Sequence, residues 1–153
     1  MKLFGAMEIE SNELCIGGIS CSDLVKEFGS PLYVMDENLL ISTCKSYYDN
    51  FKCKENHNRV AYAGKAFLTK AMCKLVNEQR LYLDVVSGGE LFTAYKAGFP
   101  LNKVYFHGNN KSRGEIELGV KLGVGRFVVD NLDEMKMLNE EAGKNNIKQD
   151  IYL

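Results

Sequence analysis

The sequence predicts an α/β protein built on a parallel β-sheet, either an open doubly wound sheet or a (β/α)8 TIM barrel. From residue 59 onward, short β-branched or aromatic runs alternate with stretches whose apolar residues follow helical spacing. The runs recur about every 22 residues, which is the spacing of βα units joined by short loops. Strict alternation indicates a parallel sheet. The constant period favours the barrel, although periodicity alone leaves the open sheet as an alternative.

Five runs are the predicted strands of this sheet: residues 60–63, 83–86, 104–106, 127–129 and 151–153. The stretches between them predict helices, for which Thr69, Ser112 and Asn131 are suitable N-caps and Gly98 and Gly123 are suitable ends. A complete barrel needs about 250 residues, whereas this chain has 153. We therefore expect the N-terminal half of a TIM barrel, with four βα units and a fifth strand.

The first 58 residues follow a different pattern. The predicted elements are, in order, a strand and turn at residues 14–18, a helix at 23–28, an extended segment at 32–35, a helix at 37–51 and a polar loop at 53–58. Either Ser20 or Ser22 is expected to cap the first helix, which Gly29 ends, and Asp36 is a good N-cap for the second.

Composition excludes several classes of protein. Nineteen basic and 20 acidic residues leave a formal net charge of −1, so the sequence lacks the basic face of a nucleic-acid-binding or membrane-surface protein. No run approaches the roughly 18 apolar residues of a transmembrane helix. The cysteines include no CxxC pair, which indicates reduced thiols and a cytoplasmic location. They are Cys15, Cys21, Cys44, Cys53 and Cys73.

Polar groups follow the predicted strands. In parallel α/β sheets, functional sites lie at the carboxyl ends of the strands. The segments after the strands of this sheet carry Lys65, Glu90, His107, Lys111 and Asp130. We expect these side chains to converge on one edge of the sheet, although strand ends are often polar for reasons unrelated to function.

Lys65 is the most informative of these groups, since it follows an apolar strand directly and is flanked by small residues. A lysine amine can attack an aldehyde to form a Schiff base, whereas the commoner fate of a lysine is to extend into solvent. Asp84 interrupts an apolar run, where a carboxylate is costly unless it is paired. It could orient Lys65 from the neighbouring strand or form an ordinary ion pair.

The two histidines do not predict a metal site, because they are far apart and lack the spacing of metal ligands. His107 is a candidate acid, base or stacking group, although a single histidine near a strand end is more often structural. His57 falls in the polar loop and is expected to be solvated.

Five strings in the sequence resemble a known family in the same order. They are GSPLYV at residues 29–34, AYAGKA at 61–66, LDVVSGGEL at 83–91, FHGNNKS at 106–112 and VVDN at 128–131. The second resembles the cofactor-lysine motif of the fold-III, alanine-racemase-like enzymes that use pyridoxal 5'-phosphate. The third is similar to the segment that follows it in the diaminopimelate decarboxylases. The resemblance extends from about residue 3 to residue 153.

This resemblance implies a TIM barrel, begun by residues 32–153, and a β-rich domain to which residues 1–31 contribute. It implies that Lys65 forms a Schiff base with pyridoxal phosphate, that Asp84 and Glu90 support the lysine and cofactor, and that His107 lines the pocket. The implied reaction is decarboxylation of meso-2,6-diaminopimelate to L-lysine and CO2, the last step of lysine biosynthesis, in a cytoplasmic homodimer.

The chain also departs from the family. Phe67 stands where many relatives carry Asn, and Gln79 and Arg80 replace an acidic-glycine pair. The phosphate loop and the substrate-binding residues of the family would lie beyond residue 153, so we expect this chain alone to be catalytically inactive. The alternatives are another fold-III decarboxylase, acting on ornithine, arginine or carboxynorspermidine, and a non-catalytic protein that binds pyridoxal phosphate.

Overall fold

A computed structural model describes residues 2–52 and 59–153 of the chain. The predictions for residues 53–58, including His57 and the Cys53 thiol, lie outside the described residues. The chain divides into two compact units, Met1–Asp49 and Asn50–Leu153. The predicted domain boundary after residue 31 stays a prediction. In the part of the chain that is described, no helix is both long and apolar enough to cross a lipid bilayer.

The first unit contains a three-stranded antiparallel sheet. Strand β1 (Met7–Glu10) pairs with β2 (Glu13–Ile16), which pairs on its other side with β3 (Ile19–Ser20). Ser11 and Asn12 join β1 to β2 with positive φ angles of 49° and 66°, as a two-residue hairpin turn of matching twist requires. The sequence predicts the second strand but misses β1. Its signal is an alternation of apolar and acidic residues before this polar pair.

Two helices complete the first unit, α1 (Cys21–Phe28) and α2 (Glu37–Asn50). Ser20 rather than Ser22 caps α1, because the Ser20 hydroxyl accepts the Ser22 backbone N–H at 3.1 Å. Gly29 ends this helix with a φ of 81°. Asp36 accepts a backbone N–H from the first turn of α2 at 2.9 Å, which confirms it as a cap.

The second unit is a parallel sheet whose strands alternate with helices. Its elements are β4 (Ala61–Ala63), α3 (Lys70–Glu78), β5 (Tyr82–Val85), α4 (Gly88–Lys96), β6 (Val104–Phe106), α5 (Arg113–Leu122), β7 (Arg126–Val128), α6 (Leu132–Lys144) and β8 (Ile151–Tyr152). The strands lie side by side in chain order, and each neighbouring pair is parallel. The predicted α/β class is confirmed.

The predicted helix boundaries of the second unit also agree with the structure. The side chains of Thr69, Ser112 and Asn131 each accept a backbone N–H from the first turn of the following helix. Gly123 ends α5 in the left-handed region at φ 74°. Gly98 has the same φ and lies one residue beyond the C-cap of α4.

One face of the parallel sheet forms the core with the helices. The largest fully buried side chains are Phe106, Phe127, Leu83, Leu91, Ile116, Val76, Val85, Val104 and Cys73. Helix α5 approaches β6 and β7 at Gly119, where an added Cβ would lie 2.5 Å from the ring of Phe127. The close packing of this helix on the sheet therefore depends on glycine.

The opposite face carries three tyrosines, because side chains alternate along a strand. The Tyr82 and Tyr105 rings stack with centroids 5.4 Å apart, and Tyr152 meets Tyr105 edge-on at 5.7 Å. The guanidinium groups of Arg59 and Arg126 lie 5.2 and 5.4 Å from the ring centroids of Tyr82 and Tyr152. We call Tyr82, Tyr105 and Tyr152 the tyrosine face. Cation–π contact of this kind stabilises charge beside aromatic rings.

Candidate functional site

Lys65 lies immediately after β4, in a single 3-10 turn formed by Gly64–Ala66. Its side chain is exposed. The Tyr62 hydroxyl donates to the Phe67 carbonyl, just after the turn, at 2.8 Å. A Cβ at Gly64 would lie 3.0 Å from the Asp84 carbonyl oxygen. The absence of a side chain at Gly64 therefore lets the turn that carries Lys65 approach the neighbouring strand.

Asp84 and His107 lie on the same face of the sheet. Asp84 is in β5, and His107 directly follows the neighbouring strand β6. Asp84 is opposite Tyr105 in the β5–β6 register, so His107, two residues further on, comes near its carboxylate. The distance from His107 Nδ1 to Asp84 Oδ1 is 3.7 Å. The backbone N–H of His107 continues the ladder by donating to the Val85 carbonyl at 2.8 Å.

Burial raises the pKa of the Asp84 carboxyl above its ordinary value of 3.8. The His107 imidazole and the Lys65 ammonium act in the opposite direction by stabilising the carboxylate, and the Glu90 carboxylate adds a smaller upward contribution. All three of these side chains contribute to the pKa of Asp84. Four predicted site residues, Lys65, Asp84, Glu90 and His107, are thus electrostatically connected.

Glu90 lies in the first turn of α4 and points back to the preceding loop. Its Oε2 accepts the Val86 backbone N–H at 2.5 Å, while the Ser87 hydroxyl accepts the Glu90 N–H at 3.3 Å. One carboxylate oxygen therefore holds the β5–α4 loop. The carboxyl carbon also lies 3.8 Å from where a Cβ at Gly64 would be, which places Glu90 beside the Lys65 turn.

The same cap-and-glutamate arrangement recurs in the next two units. Ser112 and Glu115 form a complete capping box at the start of α5, and Asn131 and Glu134 pair at the start of α6. The caps were predicted from the sequence, but the glutamates were missed. Their signal was present as a Ser or Asn followed three residues later by Glu.

Glu115 also links two adjacent loops. Its Oε2 accepts from the backbone and hydroxyl of Ser112, and its Oε1 accepts the Gly88 N–H of the β5–α4 loop at 2.8 Å. These hydrogen bonds, those from the two backbone amides first, hold the pKa of the Glu115 carboxyl below its ordinary value of 4.5. The strand-to-helix loops after β5 and β6 are therefore joined by a carboxylate.

Lys111 departs from the expectation that it presents its amine at the edge of the sheet. Only 5% of the residue is exposed, and its Nζ lies 2.8 Å from Glu134 Oε1. The reason is that its stem turns inward beneath the loop, where two carbonyls and a carboxylate surround the ammonium. Asp130 is exposed at the sheet edge as expected, and its backbone N–H donates to Glu134 at 3.4 Å.

Comparisons with known proteins agree with this arrangement. Residues 38–152 match the family model of the pyridoxal binding domain of pyridoxal-dependent decarboxylases. Diaminopimelate decarboxylase of Bacillus methanolicus is 44% identical over 144 residues, which are 94% of this chain and 33% of that protein. Diaminopimelate decarboxylase of Halalkalibacterium halodurans is 47% identical over 123 residues, 80% of this chain and 28% of that protein. The chain spans about a third of the length of these relatives.

Solved structures share the fold. Diaminopimelate decarboxylase from M. jannaschii in complex with L-lysine matches with a TM-score of 0.88 at 33% identity, over 97% of this chain and 36% of that chain. The lysine/ornithine decarboxylase of Vibrio vulnificus matches with a TM-score of 0.69 at 21% identity, over 85% of this chain and 34% of that chain, which is a likeness of fold alone. The predicted fold class is confirmed for the part of these proteins that the chain covers.

Proposed function

Since the chain belongs to the pyridoxal-dependent decarboxylase family, through the pyridoxal binding domain, we propose that Lys65 binds pyridoxal phosphate in a decarboxylase acting on meso-2,6-diaminopimelate. The products are L-lysine and CO2. The observation that carries the proposal is the group formed by Lys65, Asp84, Glu90 and His107 at the carboxyl ends of β4, β5 and β6. The names of the two bacterial relatives support the choice of substrate.

The donor set fits the aldehyde end of pyridoxal phosphate. An exposed lysine amine is the group that condenses with an aldehyde, and Lys65 lies on a short turn whose backbone comes close to Asp84. The carboxylates of Asp84 and Glu90 and the imidazole of His107 lie on the neighbouring strands and loops, and none of these three groups condenses with an aldehyde. When bound, the cofactor supplies a carbonyl that reacts with amines and a ring that takes up electrons during decarboxylation.

The neighbouring side chains set the electrostatic surroundings of the Lys65 turn. The Lys65 ammonium favours the ionised form of the Asp84 carboxyl. His107 Nδ1, at 3.7 Å, holds that carboxylate from the other side. Glu90 keeps the β5–α4 loop in place through Val86 and adds negative charge beside the Lys65 turn. Together these groups lie beside the turn that carries Lys65 at the edge of the sheet.

The quaternary state and cellular location are part of the same proposal. The four described cysteines, Cys15, Cys21, Cys44 and Cys73, are free thiols, which supports the reducing environment of the cytoplasm. The family resemblance supports a homodimer for a protein of the relatives' length. Sedimentation of such a protein at a monomer mass would contradict the dimer.

The experiment is chemical trapping of the Lys65 amine. Incubation of the full chain with pyridoxal phosphate, followed by borohydride and peptide mapping, is expected to place the reduced adduct on Lys65. Lys65→Ala is expected to abolish this adduct. Lys70→Ala, at an exposed position at the start of α3, is the matched control and is expected to leave it unchanged. Equal labelling of many lysines, persisting in Lys65→Ala, would reject the proposal.

The substrate is tested separately in a protein of the relatives' length. Release of L-lysine from meso-2,6-diaminopimelate, measured by chromatography, is the expected result, and ornithine and arginine serve as competing substrates. Turnover of ornithine or arginine in preference to diaminopimelate would contradict the proposed substrate and indicate another decarboxylase of the same family.

A further inference from the structure

Lys111 is a buried cation whose two hydrogen bonds and one ion pair join three segments of the chain. Its Nζ donates to the Gly108 carbonyl at 2.6 Å and to the Val128 carbonyl at 2.9 Å. The third neighbour is Glu134 Oε1 at 2.8 Å. This oxygen has no hydrogen-bond partner among the described residues, so it is held by charge. The side chains of Lys111 and Glu134 are 1% and 3% exposed, so both charged groups are buried.

The loop above this ammonium is the one that carries His107. Gly108 follows with a φ of 107°, and a Cβ there would lie 3.0 Å from the Val86 carbonyl oxygen. The turn is therefore confined on one side by the backbone after β5. On the other side its carbonyl is fixed by Lys111. The position of the turn, and with it the direction of His107, is set between these two contacts.

A stabilising role for the whole fold does not account for this arrangement well. The desolvation of two buried charges offsets much of their attraction, so apolar residues of similar volume often stabilise a core equally well. A buried pair does fix geometry, because an ammonium with several acceptors permits one arrangement of the groups around it. The contacts of Lys111 are with loop and strand-end carbonyls beside the candidate site.

We propose that Lys111 is a positioning residue, which holds the His107–Gly108 turn so that the imidazole faces Asp84 beside Lys65. It acts through His107 and does not itself contact cofactor or substrate. The importance of this position for catalysis rests on the proposed function, whereas the geometric claim does not. The charged groups around Lys111 are Glu134 and, at longer range, Glu115, whose carboxylate its charge stabilises.

The test uses a charge-neutral double variant of the full chain, Lys111→Met with Glu134→Gln, so that no unpaired buried charge remains. The readout is the titration of the Asp84 carboxyl, followed by carbon NMR in the absence of cofactor. Because His107 helps to hold the Asp84 pKa down, release of the turn is expected to shift this titration to higher pH. Lys121→Met, at an exposed lysine of α5, is the control and is expected to leave it unchanged.

A second pair, Lys111→Gln with Glu134→Gln, retains an amide donor in place of the ammonium and is expected to show a smaller upward shift. An Asp84 titration identical to wild type in either folded pair would overturn the proposal. Loss of the fold in both pairs would overturn it as well, since the ion pair would then be required by the whole unit. Trapping of pyridoxal phosphate on wild-type Lys65 is measured independently, so failure of one proposal does not imply failure of the other.

Discussion

Gly64 shows how a residue without a side chain prepares the candidate site. A Cβ at this position would lie 3.0 Å from the Asp84 carbonyl oxygen and 3.3 Å from Leu68 Cδ2. The backbone before Lys65 thus sits directly against the strand that carries Asp84. The position of Lys65 after an apolar strand can be read from the sequence. The need for glycine at position 64 cannot, because it depends on how closely the neighbouring strand approaches.

We predict that Gly64→Ala destabilises the chain by about 1–3 kcal/mol, because the methyl group has to displace backbone atoms. It is also expected to reduce trapping of pyridoxal phosphate on Lys65, since the turn moves away from β5. Urea unfolding and peptide mapping measure the two effects. Gly89→Ala is the control, because the nearest atom to its Cβ would be at 3.9 Å. Equal stability of both variants would contradict the prediction.

At the level of elements, the strand-to-helix connections of the parallel sheet were largely predictable from sequence. Their caps, Thr69, Ser112 and Asn131, satisfy backbone amides locally, and local chemistry is readable in a single chain. The bond from Gly88 to Glu115 crosses 27 positions of sequence, so no local pattern contains it. The burial of Lys111 was missed for the same reason, because its acceptors come from three segments.

We predict that Glu115→Ala lowers the free energy of unfolding at neutral pH by about 1 kcal/mol, the usual net contribution of a hydrogen bond, because the backbone N–H groups of Ser112 and Gly88 lose their acceptor. The folded-state pKa of Glu115 is lowered, so its ionised form binds the folded state better. Its contribution is complete above the ordinary glutamate pKa of 4.5 and is lost as pH falls through the lower folded-state value. The gap between wild type and variant should therefore close in acid.

Urea unfolding at a series of pH values measures this gap. Glu117→Ala, at an exposed position on the same helix, is the matched control and is expected to show little effect at any pH. A deficit in Glu115→Ala that persists unchanged at low pH would mean that packing, rather than the ionised carboxylate, is responsible.

At the scale of the molecule, the predicted class of fold was confirmed, while the first unit was predicted only in part. The parallel sheet has a constant repeat and apolar strands, and both features are strong signals in a single sequence. Strand β1 was not predicted, because it is short and three of its four residues are exposed, which leaves only a short apolar pattern in the sequence. Residues 32–35 belong to neither a helix nor a paired strand, and their extended conformation stays a prediction.

The tyrosine face has a practical consequence for spectroscopy. The chain has eight tyrosines and no tryptophan. Its intrinsic fluorescence therefore comes from tyrosine, without the stronger emission of tryptophan. Tyr105 lies at the centre of the face, and burial raises the pKa of its phenol above its ordinary value of 10.0. Its ionisation should lag behind that of exposed tyrosines in an alkaline absorbance titration. The phenols of the sheet therefore give a label-free optical signal for the integrity of the surface that also carries Asp84.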